Sequence, residues 1–277
     1  MFAFRSRHPS ARAALILCVA LAVLLCPAPR AEAGLKRSFP FEPGEKLVYD
    51  LWWTAIYAGQ ATLEVVGLED HNGTLAYHFK ATARSSDFLD TFYEVRDEMH
   101  SWTDLTVDRT LNYEQHQREG SYEKDIWLEF DWSHWDDGAG QASVSRFGRQ
   151  GFKQRIELTG DTLDPLAVLY HFRSHFLSIG RVIQGWVTDG KKLTTGQGEV
   201  TARESVSVPA GEFDAFVVVP DTREVGGVFE KSKDAKVWIW FTNDMNRIPV
   251  KMKTKVVIGH VTADLISIEG PAAADYQ

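Results

Sequence analysis

The chain has 277 residues and a formal net charge of −8 at pH 7, with 38 acidic residues against 30 basic ones. An acid excess with no Lys/Arg-rich run excludes nucleic acid as a natural partner and gives no pull toward anionic lipid headgroups. Two cysteines are too few for a disulfide framework or a thiolate metal cluster.

The first element is a basic start (Arg5, Arg7, Arg12) followed by the apolar run "AALILCVALAVLLC" at 13–26 and the small-x-small site Ala31-Glu32-Ala33 before Gly34. This pattern predicts a secretory signal peptide over 1–33, too short for a comfortable transmembrane helix, and hence a periplasmic protein. Lipidation at Cys26 is disfavoured because Leu25 precedes it, where a lipobox needs a small residue. Cys18 and Cys26 both fall inside the signal, so the mature chain is expected to carry no thiol. The segment holds four arginines and one acid, so 26 basic and 37 acidic residues follow it. No later stretch reaches membrane length.

Next come strands. "KLVYDLWW" (46–53) and "GQATLEVVGL" (59–68) flank the connection "TAIYA", and "TLAYHFKATA" (74–83) follows a hairpin turn at "DHNG" (70–73), where Asn-Gly readily takes positive φ. Further strands are expected in 93–104, 109–117, 122–132 and 142–148, with a turn at "DDGAG" (136–140). In 122–132, Ile126, Leu128, Phe130 and Trp132 share one face. After residue 180 the pattern resumes, with a turn at Asp189-Gly190, then 235–242 and 248–269. Roughly a dozen strands at 8–12-residue spacing, rich in Trp, Tyr and Phe, predict an all-β protein: an antiparallel curved sheet or barrel-like fold. One domain over 34–270 is expected, with a possible division into two β lobes around the helix and a flexible tail at 271–277.

The exception to the strand pattern is 164–179. Asp161 or Thr162 can cap a helix, Pro165 suits its first turn and Gly180 its end. Its apolar residues fill an arc of about 200° on a helical wheel, wider than a surface helix needs. This predicts one helix embedded in a curved sheet. His171 and His175 fall on the polar side with Asp164, and Arg173 falls inside the apolar arc near Leu166 and Leu169. A guanidinium placed there must be paired, snorkel to water, or anchor an anionic headgroup at an apolar cavity. Strand carboxylates such as Glu94 or Asp97 are candidate partners.

The order of "GEKLVYDLWWTAIYAGQATLEV" (44–65), "DTFYEVRDEMHSW" (90–102), "DPLAVLYHFR" (164–173), "VPAGEFDAFVVVP" (208–220), "VWIWFTNDMNRIPVKMK" (237–253) and "GHVTADL" (259–265) resembles domain-of-unknown-function family 3108, secreted Gram-negative proteins. The resemblance covers about residues 40 to 268. It implies an envelope protein with a β-rich, barrel-like fold and brings no established catalytic residues.

Chemical motifs are sparse. His171 and His175 are weak metal candidates, because a zinc site needs at least three protein ligands and only Asp164 offers itself as a third. No G-x-S-x-G elbow or P-loop occurs, and "GQGEVT" (196–201) has only two of the three glycines of a dinucleotide loop. These observations lead to a non-enzymatic periplasmic protein binding an amphiphilic or apolar envelope component, with Arg173, Tyr170, Trp52 and Trp238 as ligand-binding candidates and no cofactor. The alternatives are an assembly module docking on an envelope protein partner and a carboxylate-based hydrolase.

Overall fold

The computed structural model describes residues 39–136, 139–148, 151–221, 236–255 and 259–276. The signal-peptide reading of 1–33 and the centre of the "DDGAG" turn lie outside these residues. Fifteen strands among the described residues form one sheet. The first half is β1 (Lys46–Trp53), β2 (Ile56–His71), β3 (Thr74–Ser85), β4 (Arg96–Thr103), β5 (Thr110–Glu119), β6 (Tyr122–Asp136), β7 (Ala139–Gly148) and β8 (Gly151–Leu158). The second is β9 (Thr162–Leu163), β10 (Val182–Thr188), β11 (Leu193–Val208), β12 (Gly211–Pro220), β13 (Val237–Thr242), β14 (Pro249–Lys255) and β15 (His260–Glu269). A one-turn helix, α1 (Asp87–Asp90), links β3 to β4, and a longer helix, α2 (Ala167–Ser174), follows β9.

The strand order is β8-β7-β6-β5-β4-β3-β2-β1-β15-β14-β13-β12-β11-β10-β9. Two antiparallel meanders are thus zipped together where β1 pairs with β15, from Lys46 opposite Glu269 to Trp53 opposite Val261. Only the short β9 runs parallel to its neighbour, β10. The two edges of the sheet, β8 and β9, are separated by residues 159–161 alone, so the sheet curls until its ends nearly meet. Register shifts at Val65/Gly67 in β2 and Val200/Ala202 in β11 bend the two longest strands, as a bulge does. The predicted all-β, barrel-like fold is what forms.

Alternation along each strand sends one face inward. On β6, Ile126 and Leu128 are buried as expected, and Phe130 and Trp132 pack against the same core. The expected "DHNG" hairpin is also present, with Asn72 at φ 54° and Gly73 at φ 83°, and Asp70 Oδ1 accepts from Gly73 N at 3.0 Å. Three elements differ from expectation. "TAIYA" shrinks to a turn at Thr54-Ala55, because β2 already starts at Ile56. β8 appears in "GFKQRIEL", whose charged residues hide the alternation. The tail, expected to be loose, forms a 3-10 helix at Pro271–Tyr276, where Tyr276 Oη donates to Asp244 Oδ2 at 2.7 Å and Asn246 Nδ2 donates to Asp275 Oδ2 at 2.7 Å.

The embedded helix exists but is half as long as the expected 164–179. Its N-terminus is capped from Asp164, not from Asp161 or Thr162. Asp164 Oδ1 accepts from Leu166 N at 2.8 Å and Ala167 N at 3.0 Å, filling two of the orphan donors of the first turn. Asp164 Oδ2 accepts from Ser101 Oγ at 2.6 Å and Thr110 Oγ1 at 2.7 Å, which ties the helix start to β4 and β5. Asp164 is therefore fully buried rather than on a solvated face. Burial pushes its carboxyl above the usual range, and the four hydrogen bonds oppose that rise. At the other end His175 is already extended, at φ −95° and ψ 148°, and Ser174 Oγ donates to His171 O at 2.7 Å. A serine that satisfies the preceding turn itself is a natural helix terminator. Phe176 and Ile179 are consequently exposed, while Leu177 returns to the core.

The outer face of β2–β4 carries a stacked polar chain. His78 Nδ1 lies 3.0 Å from Glu69 Oε1, His78 Nε2 lies 2.8 Å from His100 Nδ1, and His100 Nε2 lies 2.7 Å from Glu98 Oε1. Trp102 stacks on His78 at 4.4 Å between centroids. Each outer link is an imidazole N–H donating to a carboxylate, which leaves no proton for the central pair of ring nitrogens while both rings are neutral. Burial holds the pKa of His78 below the ordinary value, against the pull of Glu69. The sign follows directly. Above the unfolded pKa of about 6.5 the residue is neutral in both states and favours neither. As the pH falls below that value the unfolded chain takes the proton first, and stability is lost until the folded pKa is passed. Urea unfolding at pH 7.5 and pH 5.5 is expected to show a smaller acid loss in His78→Gln than in the wild type; equal losses would contradict this sign.

Candidate functional site

Arg173 is the largest fully buried side chain among the described residues. The chain between β1 and the N-terminal residues supplies its partner. Arg173 Nη1 donates to Glu45 Oε1 at 2.6 Å and Nη2 donates to Glu45 Oε2 at 3.0 Å, a bidentate pair with both side chains 1% exposed. Nη2 also donates to the carbonyls of Pro40 and Asn246, each at 3.1 Å. Phe41 and Tyr170 stack on the guanidinium, at 5.4 and 5.7 Å from their centroids. Burial works against the charge, yet the Glu45 carboxylate outweighs it and holds the Arg173 pKa above its ordinary value. The expected ion pair with a carboxylate is present, but Glu94 and Asp97 are not the partner. Glu94 pairs with Arg96 at 3.3 Å, and Asp97 Oδ1 accepts from Arg118 N at 2.9 Å. Burial and neighbouring Glu119 push the Asp97 carboxyl up to about 6.

A cavity of about 460 Å³ lies between α2 and the sheet. Its floor is the helix face of Val168, Leu169 and Phe172. Its walls are Met99 and Tyr113 on one side and Ile183, Val187, Val218, Ile239 and Phe241 on the other. These come from β4 and β5, and from β10, β12 and β13, so the cavity spans both meanders. Glycine keeps it open. Gly198 sits where a Cβ would come within 2.9 Å of the Phe172 ring, so its absence lets α2 approach β11. Gly185, on the same face of β10 as Ile183 and Val187, would project a Cβ into open space.

The charged lining residues gather at one end. Gln117 and Lys124 stand at the outer ends of β5 and β6, paired in register, and Asp221 follows β12. Asp189, Lys191 and Lys192 come from the β10–β11 turn, where Lys191 Nζ lies 3.8 Å from Asp189 Oδ2. This turn packs on the opposite meander, since a Cβ at Gly190 would meet Leu128 and Arg146, and Gln154 Nε2 donates to Lys191 O at 2.6 Å. An apolar chamber with charged groups confined to its mouth can hold an apolar body and leave a polar head in water.

Arg173, Tyr170, Trp52 and Trp238 do not line this cavity. Tyr170 is fully buried and stacks on Phe79 at 3.9 Å between centroids; burial raises its phenol pKa far above the usual value. Trp52 packs edge-on against Tyr57 at 5.4 Å. Trp238 alternates with the lining residues Val237 and Ile239 and so belongs to the other face of β13. His171 does reach the cavity, but its Nδ1 lies 2.8 Å from Val107 O and 3.3 Å from Asp108 Oδ1, and His175 Nδ1 lies 2.9 Å from His171 O. Asp164 caps the helix and does not join them. Among the described residues no cluster of three or more His, Cys, Asp or Glu side chains is arranged to hold a metal ion. The lining residues that sequence reasoning passed over include glycines, aliphatics, aromatics and the charged groups of the mouth, and their one local signal is the cluster of Gly185, Gly196 and Gly198 in strands that otherwise alternate.

No helix of the described residues is long and apolar enough to cross a membrane. None of the curated proteins matches the chain. Among solved structures, the chain is similar to a beta-barrel-like protein of domain of unknown function DUF1849 from Brucella abortus, with TM-score 0.51 and 11% identity over 82% of this chain and 98% of that one. It also matches a candidate exported protein with a YmcC-like fold from Bacteroides fragilis, at TM-score 0.33 and 11% identity over 84% and 98% of the two chains. A candidate lipoprotein from Parabacteroides distasonis matches at TM-score 0.35 and 11% identity over 84% and 99%. The first of these supports the fold alone. The family model "Protein of unknown function (DUF3108)" matches residues 48–266, nearly the whole of the described sheet, and the chain is a member of that family.

Proposed function

We propose that this protein is a non-enzymatic, exported envelope protein that holds the apolar part of an amphiphile in the chamber between α2 and the sheet. The observation that carries this reading is the cavity itself: about 460 Å³, walled by aliphatic and aromatic side chains, with its charged groups at one end. The size falls in the range of ligand pockets, roughly 300–1,000 Å³. At about 30 Å³ for each water-sized or methylene-sized unit, it suits one aliphatic chain rather than a pair. Lys124, Lys191 and Lys192 outnumber Asp189 and Asp221 among the charged lining residues, which favours a neutral or anionic head over a cationic one. The periplasmic location rests on the predicted signal peptide.

Titration with a fluorescent hexadecanoate tests the reading. Wild-type protein is expected to bind it in the micromolar range, and Gly185→Leu is expected to weaken binding by at least about tenfold by filling the chamber. The melting temperature of that variant should stay within a few degrees, because the new side chain enters open space. Failure of the wild type to bind hexadecanoate, hexadecanol or hexadecyltrimethylammonium would overturn the proposal, as would equal binding by wild type and a folded Gly185→Leu.

A further inference from the structure

Of the eight aromatic side chains among the large apolar groups exposed on the described residues, six lie at one end of the strands, whereas the exposed aliphatic groups are spread more widely. Trp53, Ile56 and Tyr57 sit at the β1–β2 hairpin, and Phe88, Phe92 and Tyr93 sit in the connection that carries α1. Phe88 and Phe92 are 63% and 76% exposed, far more than core packing would leave them. Tyr122, at the β5–β6 turn, extends the row.

These groups form one continuous rim. Ser86 N donates to Ala58 O at 2.8 Å, tying the α1 connection to the start of β2. Phe88 and Phe92 pack edge to face at 5.7 Å, and the Tyr93 ring lies so close to Gly120 that a Cβ there would meet it at 3.0 Å. Positive φ at Gly120 and its missing side chain are what let Tyr93 fold onto the β5–β6 turn. Two residues beyond Tyr122 stands Lys124, a lining residue of the cavity, opposite Gln117, another. The rim and the polar end of the cavity thus occupy the same end of the strands.

Arg96, Asp90, Glu94 and Asp50 find partners within the rim. Arg96 Nη1 donates to Asp90 Oδ1 at 3.1 Å, Arg96 Nη2 lies 3.3 Å from Glu94, and Asp50 Oδ1 accepts from Tyr57 Oη at 3.4 Å and Gln60 Nε2 at 3.2 Å. With Arg84 and Asp87, the rim itself carries four acids against two bases, so it offers an anionic surface no attraction of its own. Trp and Tyr pair an apolar ring with a polar tip, the composition that settles at a bilayer's headgroup boundary.

We propose that this aromatic rim is a docking surface for a zwitterionic lipid bilayer, presenting the polar end of the cavity to the membrane. Loops inserting single rings suit a deformable lipid interface, whereas a protein partner would favour a flat patch with a buried centre. The proposal goes beyond the cavity reading and stands without it, since the rim makes its contact whatever the chamber holds.

Co-sedimentation of the exported protein with phosphatidylcholine vesicles tests it. Wild type is expected to sediment with the vesicles, to a similar extent at low and high salt, and Phe88→Ser/Phe92→Ser to lose at least about tenfold in partitioning. Both side chains are exposed, so the melting temperature of the double variant should match wild type. Gly185→Leu should sediment like wild type even if it has lost hexadecanoate. Three results would overturn the proposal: no sedimentation of wild type with phosphatidylcholine, as a surface built for a protein partner would give; equal sedimentation of the double variant; or binding confined to anionic vesicles and abolished by salt.

Discussion

Replacing Arg173 by methionine is expected to destabilise the fold by about 3–5 kcal/mol, because the buried Glu45 carboxylate is left without its partner. The carbonyls of Pro40 and Asn246 lose their shared donor in the same step. For a domain of this size each kcal/mol corresponds to roughly 2–4 °C, so the melting temperature should fall by about 6–20 °C. Glu45→Leu/Arg173→Met is expected to recover a substantial part of the loss, since replacing both members of a buried pair by apolar groups removes the uncompensated charge. A double-mutant cycle on urea unfolding measures the coupling; additive losses would show that the two side chains do not act as a pair. Below the melting temperature, hexadecanoate binding should be unchanged in Arg173→Met, because the guanidinium faces Glu45 and not the chamber. What the pair does is structural. It fastens the chain before β1 to the last turn of α2.

The second large effect belongs to Asp164. Asp164→Ala removes the acceptor for Ser101, Thr110 and two helical N–H groups in a site with no water access. Losing a helix cap costs about 0.5–2 kcal/mol and stranding buried donors about 1–3 kcal/mol more, so a total near 3 kcal/mol is expected. Asp164→Asn should cost much less. Its Oδ1 can still accept from Leu166 and Ala167, and its amide can donate to hydroxyls that rotate to accept. Chemical denaturation of the two variants checks the difference; equal losses would mean that the negative charge, and not the acceptor geometry, holds the helix start.

Strand periodicity was plain wherever one face meets the core and the other meets water. Ile126 and Leu128 in β6, and the Asn72-Gly73 turn, are local features whose cause lies within a few residues. β8 escaped because Lys153, Arg155 and Glu157 interrupt its apolar residues at the edge of the sheet, where a strand needs few of them. The helix was overextended because Phe176, Leu177 and Ile179 continue an apolar period after Ser174 has ended the backbone pattern. The wheel placed Arg173 among leucines correctly, but its partner lies 128 residues away in sequence, and no local pattern reaches that far. The same wheel set Asp164 beside the histidines, whereas the chain turns at Pro165 and sends that carboxylate to the hydroxyls of Ser101 in β4 and Thr110 in β5.

By itself the sequence determined the all-β class, the family and the presence of one embedded helix, because alternation, turns and motif order are short-range properties. Only the tertiary structure decided that β1 closes on β15, that Arg173 is spent on Glu45, and that Gly185 and Gly198 border an open chamber. Each depends on two distant segments meeting, and a residue cannot report in sequence what stands opposite it in space.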